Sequence, residues 1–138
     1  MAAHHLVDTN VLVRFFTGQP PELAAKAKAL VAEAEAGGVV LEVLPIIVAE
    51  TIYTLESFYG MGREDVAGTL LTFLQSRGVK PHERDRIIGA LERHRDYNAH
   101  FADAYLAAAG AELKFTVASF DRDLDKFKDI KRHEPKSS

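Results

Sequence analysis

HLVDTN, residues 5–10, decides how the rest of the chain is read. Leu6 and Val7 form the end of a short apolar strand, with Asp8 at its carboxyl end. VLVRFF, residues 11–16, follows at once and places Val11, Leu12, Phe15 and Phe16 at helical spacing. A second helix, over 22–36, carries Leu23, Ala27, Leu30 and Ala34 on one face and stops at Gly37 and Gly38. VVLEV, residues 39–43, is β-branched and apolar, as a buried strand requires.

The alternation continues to the end. Pro45 opens IIVAETIYTLESF (46–58), as proline can in a first helical turn, and Gly60 and Gly62 close it. REDVAGTLLTFLQSRG (63–78) reads as a helix stopped by Gly78, and Pro81 and Glu83 start ERDRIIGALERHR (83–95). AHFADAYLAAAGAEL (99–113) is a helix of small residues, and KFTVAS (114–119) is the last clear strand. RDLDKFK (122–128) reads as a helical turn, IKRHEP (130–135) as a short final strand, and the tail from about residue 134 as mobile. Three or four strands alternating with six or seven helices imply an α/β fold with a mainly parallel sheet.

The 138 residues suit one domain, 1–138, with a single core. At 47% hydrophobic and 27% charged the composition is globular. The absence of cysteine excludes disulfide scaffolds, thiolate metal sites and cysteine nucleophiles, and fits a cytoplasmic setting. No apolar run approaches the roughly 18 residues of a membrane span, and MAAHHLVDTN does not read as an export signal. The net charge of −3 is uneven: residues 1–76 carry net −5, residues 77–95 net +3, residues 96–113 net −3 and residues 114–138 net +2. Basic patches on an acidic protein can flank a polyanion, although a mixed solvated surface has the same composition.

Ligands of open parallel sheets bind beyond the carboxyl ends of the strands. Asp8 and Asp121 follow apolar strands, Glu50 lies early in the helix after 39–43, and Asp103 lies in the first turn of its helix. Singly, each acid has a structural reading, as a helix cap or a favourable charge at a helix start. Together they differ. Glu50 sits in PIIVAETIY and Asp103 in FADAYLAA, apolar or small surroundings with no nearby lysine or arginine, where burial of a carboxylate demands a partner. Like charges drawn together need a cation between them, and oxygen-only ligation suits Mg²⁺ or Mn²⁺.

VDTNVLVRFF (7–16), IIVAETIYTL (46–55), HFADAYLAAAGAEL (100–113) and VASFDRDLDKF (117–127) resemble the four acidic motifs of the PIN-domain family. Their order and the small size are similar to the VapC-type toxins, which are ribonucleases. The resemblance runs from about His5 to about Lys128. It implies a PIN-like three-layer α/β/α sandwich over a mainly parallel central sheet. It also implies a metal-dependent endoribonuclease, the toxin of a type II toxin–antitoxin module, acting on RNA and neutralised by a small antitoxin. Asp8, Glu50, Asp103 and Asp121 match the acidic quartet that would hold the metal. Thr9, Asn10 and Ser119 match the polar residues beside it; Asp123 is a further outer candidate, and Arg14 could face phosphate, a partner's acid or solvent. One departure is that Asn98, Ala99 and His100 stand where some members carry another acid.

Two other classes are weighed. A receiver-type phosphoacceptor also places an aspartate at a strand end, but it requires an acidic pair after the first strand and a lysine after a late one. Here Thr9 and Asn10 follow Asp8, and Lys114 precedes its strand. A catalytically inactive PIN-like RNA-binding module would have lost some of the four acids. The histidines show no ligand spacing and read as surface residues. Arg84, Arg86, Arg93, Arg95, Arg122, Lys126 and Lys128 suggest an RNA path without specifying bases. Apolar residues cover well over half the circumference of 46–59, more than one core-facing stripe needs, so a homodimer and a partner surface are expected there, with Tyr53 and Phe58 exposed.

Overall fold

The computed structural model describes residues 2–137. β1 (Ala3–Leu6) pairs in parallel with β2 (Val39–Val43), and β2 pairs in parallel with β3 (Val79–Pro81). Between β1 and β2 lie α1 (Thr9–Thr17) and α2 (Pro21–Glu35); α3 (Pro45–Ser57) and α4 (Arg63–Leu74) connect β2 to β3. α5 (Arg84–Asp96) and α6 (Phe101–Leu113) lead to β4 (Val117–Ala118), a 3₁₀ turn over Arg122–Lys126, and β5 (Arg132–His133), which pairs in parallel with β4. The class is therefore α/β with parallel strands, as the alternation of the sequence predicts. The six α-helices among the described residues fall within the expected number.

Three differences are instructive. Val79–Pro81 forms a strand where the sequence suggested the approach to a helix. Gly78 adopts φ +82 and turns the chain so that its carbonyl accepts from Leu41 at 2.8 Å. The last clear strand shrinks to Val117–Ala118, because Lys114 ends α6 in the left-handed region (φ 60) and the next residues only descend to the sheet. The strands also form two sheets, β1-β2-β3 and β4-β5, with no ladder between them.

Two clusters of buried apolar side chains follow that division. The larger joins the inward residues of β2 (Val39, Leu41 and Val43) to Leu12 and Val13 of α1, Val48, Ile52 and Leu55 of α3, Leu70 and Leu74 of α4, and Ile87 and Leu91 of α5. The smaller joins Ala104 and Ala107 of α6 to Val117, Leu124 and Phe127. β2 alternates buried and half-buried along its length, so one face of the sheet carries the larger core. β1 does not: all four of its residues are exposed. Residues 134–137 are exposed and carry no regular structure; Ser138 lies outside the described residues.

Candidate metal centre

β1 delivers Asp8 to the start of α1. Val7 still donates its N–H to the Glu42 carbonyl of β2 at 3.0 Å, so the chain leaves the sheet only at Asp8. There the carboxylate accepts the Thr9 N–H at 2.8 Å and caps α1. A capping carboxylate satisfies a helix-terminal donor and lies at the positive end of the helix dipole. Asp8 is exposed.

Glu50 reaches the same place from the neighbouring helix. α1 and α3 pack together, and the Thr9 hydroxyl donates to Glu50 Oε2 at 3.4 Å. The structure thus brings Asp8, Thr9 and Glu50 together. Asp103 stands half-buried in the first turn of α6, which packs against α3. Asp121 belongs to the loop after β4: its N–H donates to Ser119 Oγ at 3.0 Å, and its carboxylate accepts the Asp123 N–H at 2.9 Å. Among the described residues no three His, Asp or Glu side chains are drawn into one metal-ligating group.

The expectation that Glu50 is buried is corrected. Helical periodicity turns Val48, Ile52 and Leu55 to the core and leaves Glu50 exposed beside the exposed Ile46 and Tyr53. Burial is therefore not what calls for a cation. The lack of basic partners is: none of Asp8, Glu50, Asp103 or Asp121 enters an ion pair among the described residues. Their neighbours do. Asp123 pairs with Lys126 at 2.8 Å, and Asp125 pairs with Arg132 at 2.9 Å. The guanidinium of Arg132 holds the Asp125 carboxyl below its ordinary range. Four carboxylates without cations, and no sulfur or imidazole among them, fit a hard divalent ion in donor chemistry.

The other predicted residues divide. Asn10 is exposed. Arg14 turns away from the acids and donates to the Gln19 carbonyl and the Tyr59 hydroxyl, both at 3.4 Å. Several of the basic residues suggested as an RNA path are already engaged. Arg86 bonds Glu83 and Glu112, Arg93 bonds Asp129, Arg95 bonds Asp96, and Lys128 bonds the Asp125 carbonyl. Arg122 enters no ion pair among the described residues.

Sequence reasoning missed a groove of about 830 Å³ between α3 and α6, lined by Ile46, Tyr53, Phe101 and Tyr105, with Glu56 and His94 in its wall. His94 is not a surface histidine: it is 1% exposed, its ring nitrogens 2.6 Å from the Ala99 carbonyl and 2.7 Å from Glu56 Oε2. Ile87, Leu91 and His94 stand at i, i+4 and i+7, a spacing that assigns His94 to the buried stripe of α5. Nearby, the Tyr105 hydroxyl donates to Glu83 at 2.6 Å, and burial, then that carboxylate, raises its pKa.

The sequence matches the PIN domain family over residues 5–130. No curated protein matches it. PIN domains are generally nucleases and typically use divalent metal, and no helix among the described residues is long and apolar enough to cross a membrane.

Proposed function

The chain belongs to the PIN-domain family, and on that premise we propose that it is a Mg²⁺- or Mn²⁺-dependent endoribonuclease, the toxin of a toxin–antitoxin pair. The observation that carries the reading is the set of four unpaired carboxylates, Asp8, Glu50, Asp103 and Asp121, two of them bridged by Thr9. These four would hold the metal. When bound, it lowers the pKa of an attacking water and stabilises charge on the scissile phosphate.

The chain's own residues prepare that chemistry. Asp8 is fixed by the start of α1, so its free oxygen has a defined direction. Thr9 holds Glu50 to the same locus. Ser119 and the Asp123 N–H fix the turn that presents Asp121. Arg122, adjacent to Asp121, is a cation with no ion-pair partner among the described residues and is suited to a phosphate beyond the scissile one. The toxin role, the antitoxin and the homodimer rest on the motif resemblance and on exposed apolar side chains: Tyr53 is 68% exposed and Phe58 83%.

Cleavage of RNA with Mg²⁺ or Mn²⁺ and its loss in EDTA is the test. Undiminished cleavage by a pure preparation in EDTA overturns the metal-dependent reading. Sequencing of RNA 5′ ends after induction in cells identifies the substrate.

A further inference from the structure

Two of the four acids stand on helices that a groove separates. Glu50 lies on α3 and Asp103 in the first turn of α6, and the groove of about 830 Å³ lies between those helices. Side chains facing one another across such a gap make no packing contacts, so the groove itself does not set the spacing of the two helices. α6 packs along α5 instead. α5 is thus the intermediary, and His94 in its last turn reaches both neighbours.

His94 does so with both ring nitrogens. Nδ1 lies 2.6 Å from the Ala99 carbonyl and Nε2 lies 2.7 Å from Glu56 Oε2. A carbonyl only accepts, so Nδ1 carries a proton and donates to Ala99. A carboxylate likewise only accepts, so a second proton lies between Nε2 and Oε2. On one side the ring holds Ala99, the residue before the α6 cap at His100, and Phe101 of α6 packs edge-on against it at 6.0 Å between ring centres. On the other side it holds Glu56, which follows Glu50 along α3 by roughly 9 Å.

The connection between α5 and α6 is itself a fixed point. Asn98 stands at φ +51, its side-chain oxygen accepts from Arg63 of α4, and its carbonyl accepts from Lys126 of the turn after Asp121. A bond to this connection therefore refers α3 to a held reference. We propose that His94 and Glu56 are positioning residues, and that their bond in the groove wall sets the spacing of Glu50 from Asp103 at which both acids grip one divalent ion. The link stands on geometry alone; its bearing on the ion deepens the nuclease reading and rests on it.

Glu56→Ala tests the link. A change at His94 would open a cavity and orphan the Ala99 carbonyl, and could cost the fold itself. Glu56→Gln is the rescue, because a carboxamide can present either an N–H or an oxygen to Nε2. Spacing is read first, without metal. The chain has no cysteine, so Ile46→Cys and Ala102→Cys, both exposed and on opposite sides of the groove, introduce the only thiols for a pair of spin labels. Labelled protein is diluted into unlabelled protein so that each distance lies within one chain. The parent and Glu56→Gln should give one narrow distance, and Glu56→Ala a broader or displaced one. An unchanged distribution in Glu56→Ala overturns the link.

Calorimetric titration of the unlabelled proteins with Mn²⁺ then reads the role toward the ion. Glu56→Ala should bind about tenfold more weakly than the parent, and Glu56→Gln within about twofold of it. A merely structural pair would lower the melting temperature of Glu56→Ala and leave its Mn²⁺ affinity at the parental value; that result overturns the positioning role. A parent that takes up no Mn²⁺ overturns the metal-dependent reading, and the role toward the ion with it, while the spin labels still decide the link.

Discussion

Among single residues, the acids separate by what already holds them. Asp8→Asn and Asp103→Asn should abolish cleavage and leave the metal-free melting temperature level or raised, since neither loses an ion pair and each removes a charge that repels its neighbours. Within the 121–125 turn, single-turnover cleavage should fall most for Asp121→Asn, less for Asp123→Asn and least for Asp125→Asn. Lys126 and Arg132 already occupy the last two. An Asp125→Asn variant more damaged than Asp121→Asn would reverse that assignment. Asp129 offers a pH test. The Arg93 guanidinium lowers its pKa in the fold, so the pair stabilises above the ordinary carboxyl range and loses that contribution as pH falls below about 4. Asp129→Asn should therefore flatten the acid limb of the melting profile, by no more than about 0.5 kcal/mol for so exposed a pair. The family was legible in the sequence because its motifs are local, and the match over residues 5–130 bears that reading out. The burial of His94 was not read, because its flanking Arg93 and Arg95 mask a position that periodicity alone would have placed inside.

At the scale of elements, the sequence was most informative where chemistry is strongest. Pro45 opens α3 and Val39–Val43 is a strand, both at the expected residues. Val79–Pro81 escaped because three residues ending in proline carry little strand signal; their pairing is imposed by β2 and by the turn at Gly78. Gly78 combines a left-handed backbone with a close approach to the Ala34 backbone, so even a methyl group there would collide with α2. Gly18 has a similar φ of +71 but open space around it. Gly78→Ala should destabilise by more than the roughly 1–3 kcal/mol of an unfavourable left-handed residue, and Gly18→Ala by about 1 kcal/mol, as measured by urea unfolding. Equal losses would mean that contact with α2 contributes nothing.

At the scale of the whole molecule, the alternation of strands and helices gave the class but not the division into two sheets, since hydrophobic pattern specifies which face is buried and not which edge meets which. The division has a dynamic consequence. The larger core unites β2 and Val79 of β3 with α1–α5, whereas the smaller depends on Ala104, Ala107, Val117, Leu124 and Phe127, few of them large. Segments that bury little apolar surface open at lower free energy than the rest and do so as units. Amide hydrogen exchange should accordingly fall into two classes. Amides of β2 and α4 should exchange only with global unfolding, while those of β4, the Arg122–Lys126 turn and β5 should exchange through a shared partial opening. Asp121 lies in the second class, so the proposed metal-binding quartet would span two cooperative units, and any ligand gripping all four acids would merge their exchange into one.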